Sequence, residues 1–276
     1  MPLLLAGLSS LAFGVADFVG GFVTRRAAAI TVVWGGQVVG LAAVAAVAPA
    51  FSSGFAADPS LLWGAGAGAA GSLGLVVFYH ALATTRISVA APVAAVVGTA
   101  LPVLFGVAIG ERPAPIAWAG MLLAIPAVVS LSASRRDSGP VVRAAWLGAI
   151  AGAAFACFGI LISRTGSDSG MWPLVAARVA SVITLGVGAL AWGRPVIAPR
   201  VHWPLITVSA LLDIAGNVLF LVAVRRELLS LVAVIMSLYP ATTLALARIV
   251  LGERLTGRQW VGVTLAAGAV VLIALG

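Results

Sequence analysis

Five side chains stand out because they are polar or charged inside stretches that are otherwise apolar. Asp213 lies in the middle of the run 201–224, with Ser209 and Asn217 four residues to either side. On a helix, residues i and i+4 lie one above the other, so the three share one face. Arg178 lies inside the run 171–192 and Asp17 inside the run 2–23. An ionised side chain in hydrocarbon costs about 2.5–3.5 kcal/mol on insertion scales, so each must face a partner or a wet cavity. Counted from the gap between their two runs, Arg178 and Asp213 lie at similar depth, about 18–21 Å at 1.5 Å per residue. They are candidates for an ion pair, and two readings stay open. The pair holds two helices together, or Arg178 takes the carboxylate of a zwitterion and Asp213 its amine or a proton. Asp17 and Asp213 are also the candidates for carrying a coupled proton. The alternative for Asp17 is a pair with Arg25 or Arg26.

Other residues fit a solute-binding wall. Pro92 and Pro102 in the run 87–110, and Pro240 in the run 228–251, each remove a backbone donor and free a carbonyl. Kinked or broken helices are expected there, with Thr99 near the first and Ser237 and Tyr239 beside the second. Tyr239 is the candidate aromatic contact, and Gln37 a further lining residue without an obvious partner. His80 reads as a hydrogen-bonded residue near a helix end. Metal and nucleotide chemistry find no support. The single cysteine, Cys157, has no His or carboxylate beside it, and there is no H-E-x-x-H, no Cys/His ligand spacing and no Walker Gly-Lys-Ser/Thr. No cofactor and no enzymatic activity are expected.

The elements that position these residues follow from composition. Of 276 residues, 62% are hydrophobic and 9% charged, with mean hydropathy +1.17. A soluble domain carries about 25% charged residues, so the apolar excess must face lipid. All sixteen basic residues are Arg, giving a net charge of +8. They sit mainly in short gaps, which fits cytoplasmic retention better than nucleic-acid binding. Spanning hydrocarbon takes about 20 apolar residues. Ten segments meet that need: 2–23, 29–50, 61–83, 87–110, 114–132, 144–164, 171–192, 201–224, 228–251 and 257–275.

A shift of 142 residues superposes the halves. Gly110-Glu111-Arg112 falls on Gly252-Glu253-Arg254, Trp118 on Trp260 and Gly120 on Gly262; upstream, Gly74 and Phe78 fall on Gly216 and Phe220. The expected fold is therefore an all-α integral membrane protein of ten transmembrane helices. It divides into two five-helix repeats, 1–134 and 144–276, joined by a linker at 135–143. Five is odd, so the second copy enters the membrane inverted, the plan of many secondary transporters. Glu111, Arg112, Glu253 and Arg254 read as a structural helix-end motif, the carboxylates pairing with the neighbouring arginines. The gaps after the odd-numbered helices, with the helix ends that border them, hold ten arginines and those after the even-numbered hold four. That bias places both termini outside. The run Gly64 to Gly74 carries small-xxx-small spacing, suited to close helix approach.

Tyr79-His80-Ala81-Leu82, the run from Ser230 to Tyr239-Pro240, Leu251-Gly252-Glu253-Arg254-Leu255 and Gln259-Trp260-Val261-Gly262 together resemble the repeat unit of EamA-type transporters of the drug/metabolite transporter superfamily. The resemblance spans both halves and is sharper in the second. In the first half Gly98 stands where the second has Pro240, and Asp17 departs from the usual small or apolar residue. The resemblance implies a cavity between the halves lined by helices 1, 3, 4, 6, 8 and 9. It also implies a multi-pass protein of the cell (inner or plasma) membrane, monomer or homodimer, that exports or exchanges small organic metabolites such as amino acids or amines. An arginine near position 178 is common in the family's second repeat. The competing readings are a multidrug-type organic cation exporter and, from other classes, an intramembrane enzyme or a non-transporting scaffold.

Overall fold

Long apolar runs become helices because in hydrocarbon each backbone N–H and C=O must pair within its own segment. The computed structural model describes residues 2–24, 26–51, 59–85, 87–131, 141–236, 238–239, 242, 245–246, 249 and 257–275. Among them all regular structure is helical. The helices are α1 (Pro2–Thr24), α2 (Ala29–Val47), α3 (Ser60–Thr84), α4 (Ile87–Ala108), α5 (Pro115–Leu131), α6 (Val141–Ser163), α7 (Trp172–Ala191), α8 (Trp203–Val224), α9 (Leu229–Met236) and α10 (Gly257–Leu275). Apart from α9, which spans Leu229–Met236 with a turn at Leu238, their ends fall within three residues of the expected boundaries. Among the described residues, six segments are long and apolar enough to cross a bilayer: Pro2–Thr24, Ala29–Phe51, Ser60–Leu82, Val142–Ser163, Trp172–Ala191 and Arg200–Val224. The chain is a multi-pass membrane protein. Its outward side chains are those of a lipid-facing surface, with Leu4, Leu62, Leu122, Trp146, Leu190 and Val201 more than half exposed.

One expectation needs correction. The prolines of α4 do not break it: the helix runs from Ile87 to Ala108 through Pro92 and Pro102, since each proline deletes one donor and the flanking turns keep theirs. Pro240 lies outside the described residues. α6 begins at Val141, three residues ahead of the expected start at 144.

Glycine decides how closely the helices approach. A Cβ on Gly64 would overlap the carbonyl oxygen of Pro173, and one on Gly68 that of Ala177, so α3 and α7 meet backbone to backbone. On its other side α3 receives Phe158 against Gly71 and Phe155 against Gly74. The small-residue run of α3 thus wedges this helix between α6 and α7, as close approach without side chains permits. Gly148 and Gly152 of α6 do the same against Ala90 and Ala94 of α4. The principal neighbours are α1 with α8 and α9, α6 with α3 and α4, α2 with α7 and α8, α3 with α7, and α5 with α10.

The Gly110-Glu111 turn has a specific geometry. Glu111 N–H bonds back to the Gly106 carbonyl at 2.9 Å and Gly110 N–H to that of Val107 at 3.1 Å. With Gly110 at φ 101°, this is a Schellman closure, which needs glycine at that position. It turns the Glu111 side chain back across Gly106, where a Cβ would collide with it. The carboxylate then accepts the backbone N–H groups of Leu229 at 2.8 Å and Ser230 at 3.0 Å. These are the first two residues of α9, whose donors have no helical partner. The expected pairing of Glu111 with Arg112 is replaced by a helix cap, because two convergent N–H groups at a positive helix end outcompete an exposed guanidinium. Glu253 and Arg254 lie outside the described residues. Elsewhere Arg225, just past α8, donates to the Gly170 carbonyl and to the hydroxyls of Ser169 and Thr165. It ties down the α6–α7 turn, with burial pulling its guanidinium below its ordinary range.

Candidate functional site

The charged residues singled out in the sequence meet. Arg178 Nη2 and Asp213 Oδ2 form an ion pair of 2.5 Å between α7 and α8, among the described residues the one ion pair present. The depth argument is met, and rotation about each axis also brings the side chains together. Arg178 donates from Nη1 to Gln37 Oε1 on α2, so Gln37 has the partner its sequence context did not show. The guanidinium reaches there because α2 offers Gly40, whose position for a Cβ lies 3.4 Å from Arg178 Nε. Asn217 completes the group, its amide donating to the Asp213 carbonyl at 2.8 Å and to Oδ2 at 3.3 Å. Ser209, the other member of the expected stripe, is used differently: its hydroxyl bonds the Ala16 carbonyl at 2.8 Å and fixes α8 to α1.

Asp17 is not paired with Arg26, whose guanidinium sits over the Phe22 ring 5.5 Å from its centroid; Arg25 lies outside the described residues. Asp17 instead accepts a hydrogen bond of 3.3 Å from the Tyr79 hydroxyl of α3. Tyr79 was not foreseen as a site residue. Its signal was present, because a phenol in the interior of an apolar bundle needs a polar partner.

These groups surround a cavity of about 190 Å³. Asp17, Gln37, Thr99, Arg178, Asp213, Asn217 and Tyr239, all expected as lining or coupling residues, are on its wall. Thr99 spends its hydroxyl proton on the Ala95 carbonyl at 2.7 Å, which leaves its oxygen as an acceptor. Ser237 lies outside the described residues. The wall takes in two helices that the family resemblance does not imply, since α2 and α7 contribute Gln37 and Arg178 beside residues from α1, α3, α4, α6, α8 and α9. Phe13, Phe155, Phe158 and Phe220 supply aromatic faces, and Phe158 and Phe220 approach to 6.3 Å between centroids. His80 is exposed on α3, away from this wall.

A second, smaller cavity of about 30 Å³ shares Asp17, Gln37, Leu75 and Asp213 with the first and adds Tyr79 and Ser209. The polar group therefore forms a partition with space on both faces. Within the smaller cavity Gly20 lets α1 approach Tyr79, whose hydroxyl a Cβ there would overlap. Among the described residues no group of His, Cys, Asp and Glu could hold a metal. What the arrangement can do is bind a small polar or charged solute, exchange a proton with it, and separate two compartments.

Residues 142–275 match the family model of the EamA-like transporter family. A solved crystal structure is similar over 98% of this chain and 96% of its own, with a TM-score of 0.79 and 18% sequence identity; at that identity it speaks for the fold alone. No curated protein matches the sequence.

Proposed function

We propose, from the premise that this chain belongs to the EamA-like transporter family through residues 142–275, that it is a secondary transporter. It exports or exchanges small organic metabolites such as amino acids or amines by alternating access between two inverted five-helix halves. The observation that carries the reading is the cavity into which α1 and α2 bring Asp17 and Gln37 while α7 and α8 bring Arg178 and Asp213. Ionisable groups from both halves around one interior space are what a solute crossing hydrocarbon requires.

The inverted repeat is supported by the neighbour pattern. Exchanging each helix of the first five with its counterpart in the second turns the α1–α8 pair into α6–α3 and the α4–α6 pair into α9–α1. The α2–α7 and α5–α10 pairs map onto themselves. Such closure is expected of two copies related by a pseudo-two-fold axis. The arginine bias favours both termini outside, and the plasma or inner membrane is the natural address. Proton coupling is assigned to Asp17 and Asp213, which face the same two cavities.

An intramembrane enzyme would need a nucleophile or activated water positioned by these acids; Arg178 and Asn217 already occupy Asp213, and a phenol occupies Asp17. The test is flux into proteoliposomes of a panel of amino acids, amines and organic cations, with and without a pH gradient, for wild type, Asp17→Asn and Asp213→Asn. Solute-dependent uptake that responds to the gradient and is lost on neutralising the acids is the expected result. Absence of uptake of any panel member by folded protein would overturn the reading. Uptake unchanged with both acids neutralised would remove the proton coupling.

A further inference from the structure

With Asp17 ionised, the charges around the cavity do not sum to zero. Arg178 and Asp213 neutralise each other in their 2.5 Å pair. Asp17 accepts a hydrogen bond from the neutral Tyr79 hydroxyl, and the Tyr239 phenol lies on the same wall. The guanidinium that could compensate Asp17 is held by Asp213 and Gln37 and is itself only 7% exposed. Ionised, the wall therefore carries one surplus negative charge, and a buried charge without a counterion is costly.

The walls are also unlike. In the 142-residue register Asp17 corresponds to Gly159 and Asp213 to Gly71, and both glycines line the same cavity. The α1–α8 side carries the two carboxylates, and the equivalent α6–α3 side has no carboxylate at either place. That side presents Phe155, Phe158 and Leu75 instead. A third feature lies on α4. Pro102 has no N–H, so the Gly98 carbonyl lacks its helical donor, and both residues face the cavity.

We infer that the preferred solute is a monocation with an apolar, ring-sized body, held with its positive group toward Asp17 and its body against the phenyl faces of α6. Arg178 and Asp213 are then a neutral positioning pair. One net positive charge completes the site, whereas a zwitterion leaves Asp17 uncompensated and an anion adds to the surplus. The Gly98 carbonyl offers an acceptor to an ammonium N–H, and the phenyl rings bury the apolar body. This assignment rests on the transporter reading and narrows it to a substrate class.

Three probes share one body and differ in charge: 2-phenylethylammonium, phenylalanine and phenylacetate. Binding to the purified full-length protein by calorimetry should rank them in that order, with the amine at least about ten-fold tighter than phenylalanine, a difference of about 1.4 kcal/mol. Asp17→Asn should lose at least ten-fold for the amine while its unfolding temperature stays near wild type. Asp17→Glu, which keeps the charge, should retain most of the binding. Phenylalanine bound as tightly as the amine, no binding of the amine, or an amine affinity unchanged in Asp17→Asn would overturn the inference. If Asp17→Asn does not fold, the ranking on wild type decides alone. Flux separates the two claims. Phenylalanine transported with the amine excluded overturns the cation preference and keeps the transporter; Asp17-dependent amine binding without flux of any panel solute does the reverse.

Discussion

The carboxylate of Glu111, at the end of α4, accepts the backbone N–H of Leu229 at 2.8 Å, so a residue of one half caps a helix of the other across 118 positions. Glu227 adds its own bond to the Leu228 N–H at 3.1 Å, giving the start of α9 two carboxylates where the helix dipole favours them. Glu111→Ala should cost about 1 kcal/mol, in the range of lost helix caps. Glu111→Gln, which keeps one acceptor oxygen, should cost less. Thermal unfolding in detergent ranks the two, and equal stability of all three proteins would contradict the cap.

Gly110 closes α4 at φ 101°, where a side chain is strained. Gly110→Ala should destabilise by about 1–2 kcal/mol, the cost of forcing a residue with a Cβ to positive φ. Because it also re-aims Glu111, its effect should not add to that of Glu111→Ala. A double-mutant cycle by thermal unfolding reads the coupling, and simple additivity would speak against it.

The Arg178–Asp213 pair is buried on one side, with side-chain exposures of 8% and 24%. Asp213→Leu alone leaves an uncompensated guanidinium in the bundle and should cost about 3–5 kcal/mol. Arg178→Leu with Asp213→Leu should cost less than the single change. Unfolding measurements on the three variants check the order; a double variant worse than Asp213→Leu would mean the pair is net stabilising beyond mutual compensation.

Gly68 admits no Cβ against Ala177, whereas a Cβ on Gly66 would meet only Leu161 Cδ1 at 3.3 Å. Gly68→Ala should push α3 from α7 at a cost of about 1–3 kcal/mol, and it should depress solute flux by moving Arg178, the next residue along α7. Gly66→Ala should be tolerated. Flux and unfolding of the two variants give the comparison, and equal behaviour would remove the close-approach argument.

Composition alone determined the solvent of this protein, since 9% charged residues cannot cover a water-facing surface. Run lengths then set nine helices to within three residues, because hydrocarbon allows few backbone solutions and its thickness fixes their length. Depth along each run likewise placed Arg178 level with Asp213. Rotation about the helix axes was not legible, because almost every position of such a helix is apolar and no periodic face marks the interior. The tertiary structure decided that Gln37 faces Arg178 and Tyr79 faces Asp17, through glycines at 40, 64 and 68 that set how near the helices lie. It also turned the first Gly-Glu-Arg, at 110–112, from a local pairing motif into a link between distant helices. The two N–H groups that Glu111 caps are 118 and 119 residues away, and no local spacing encodes a partner at that distance.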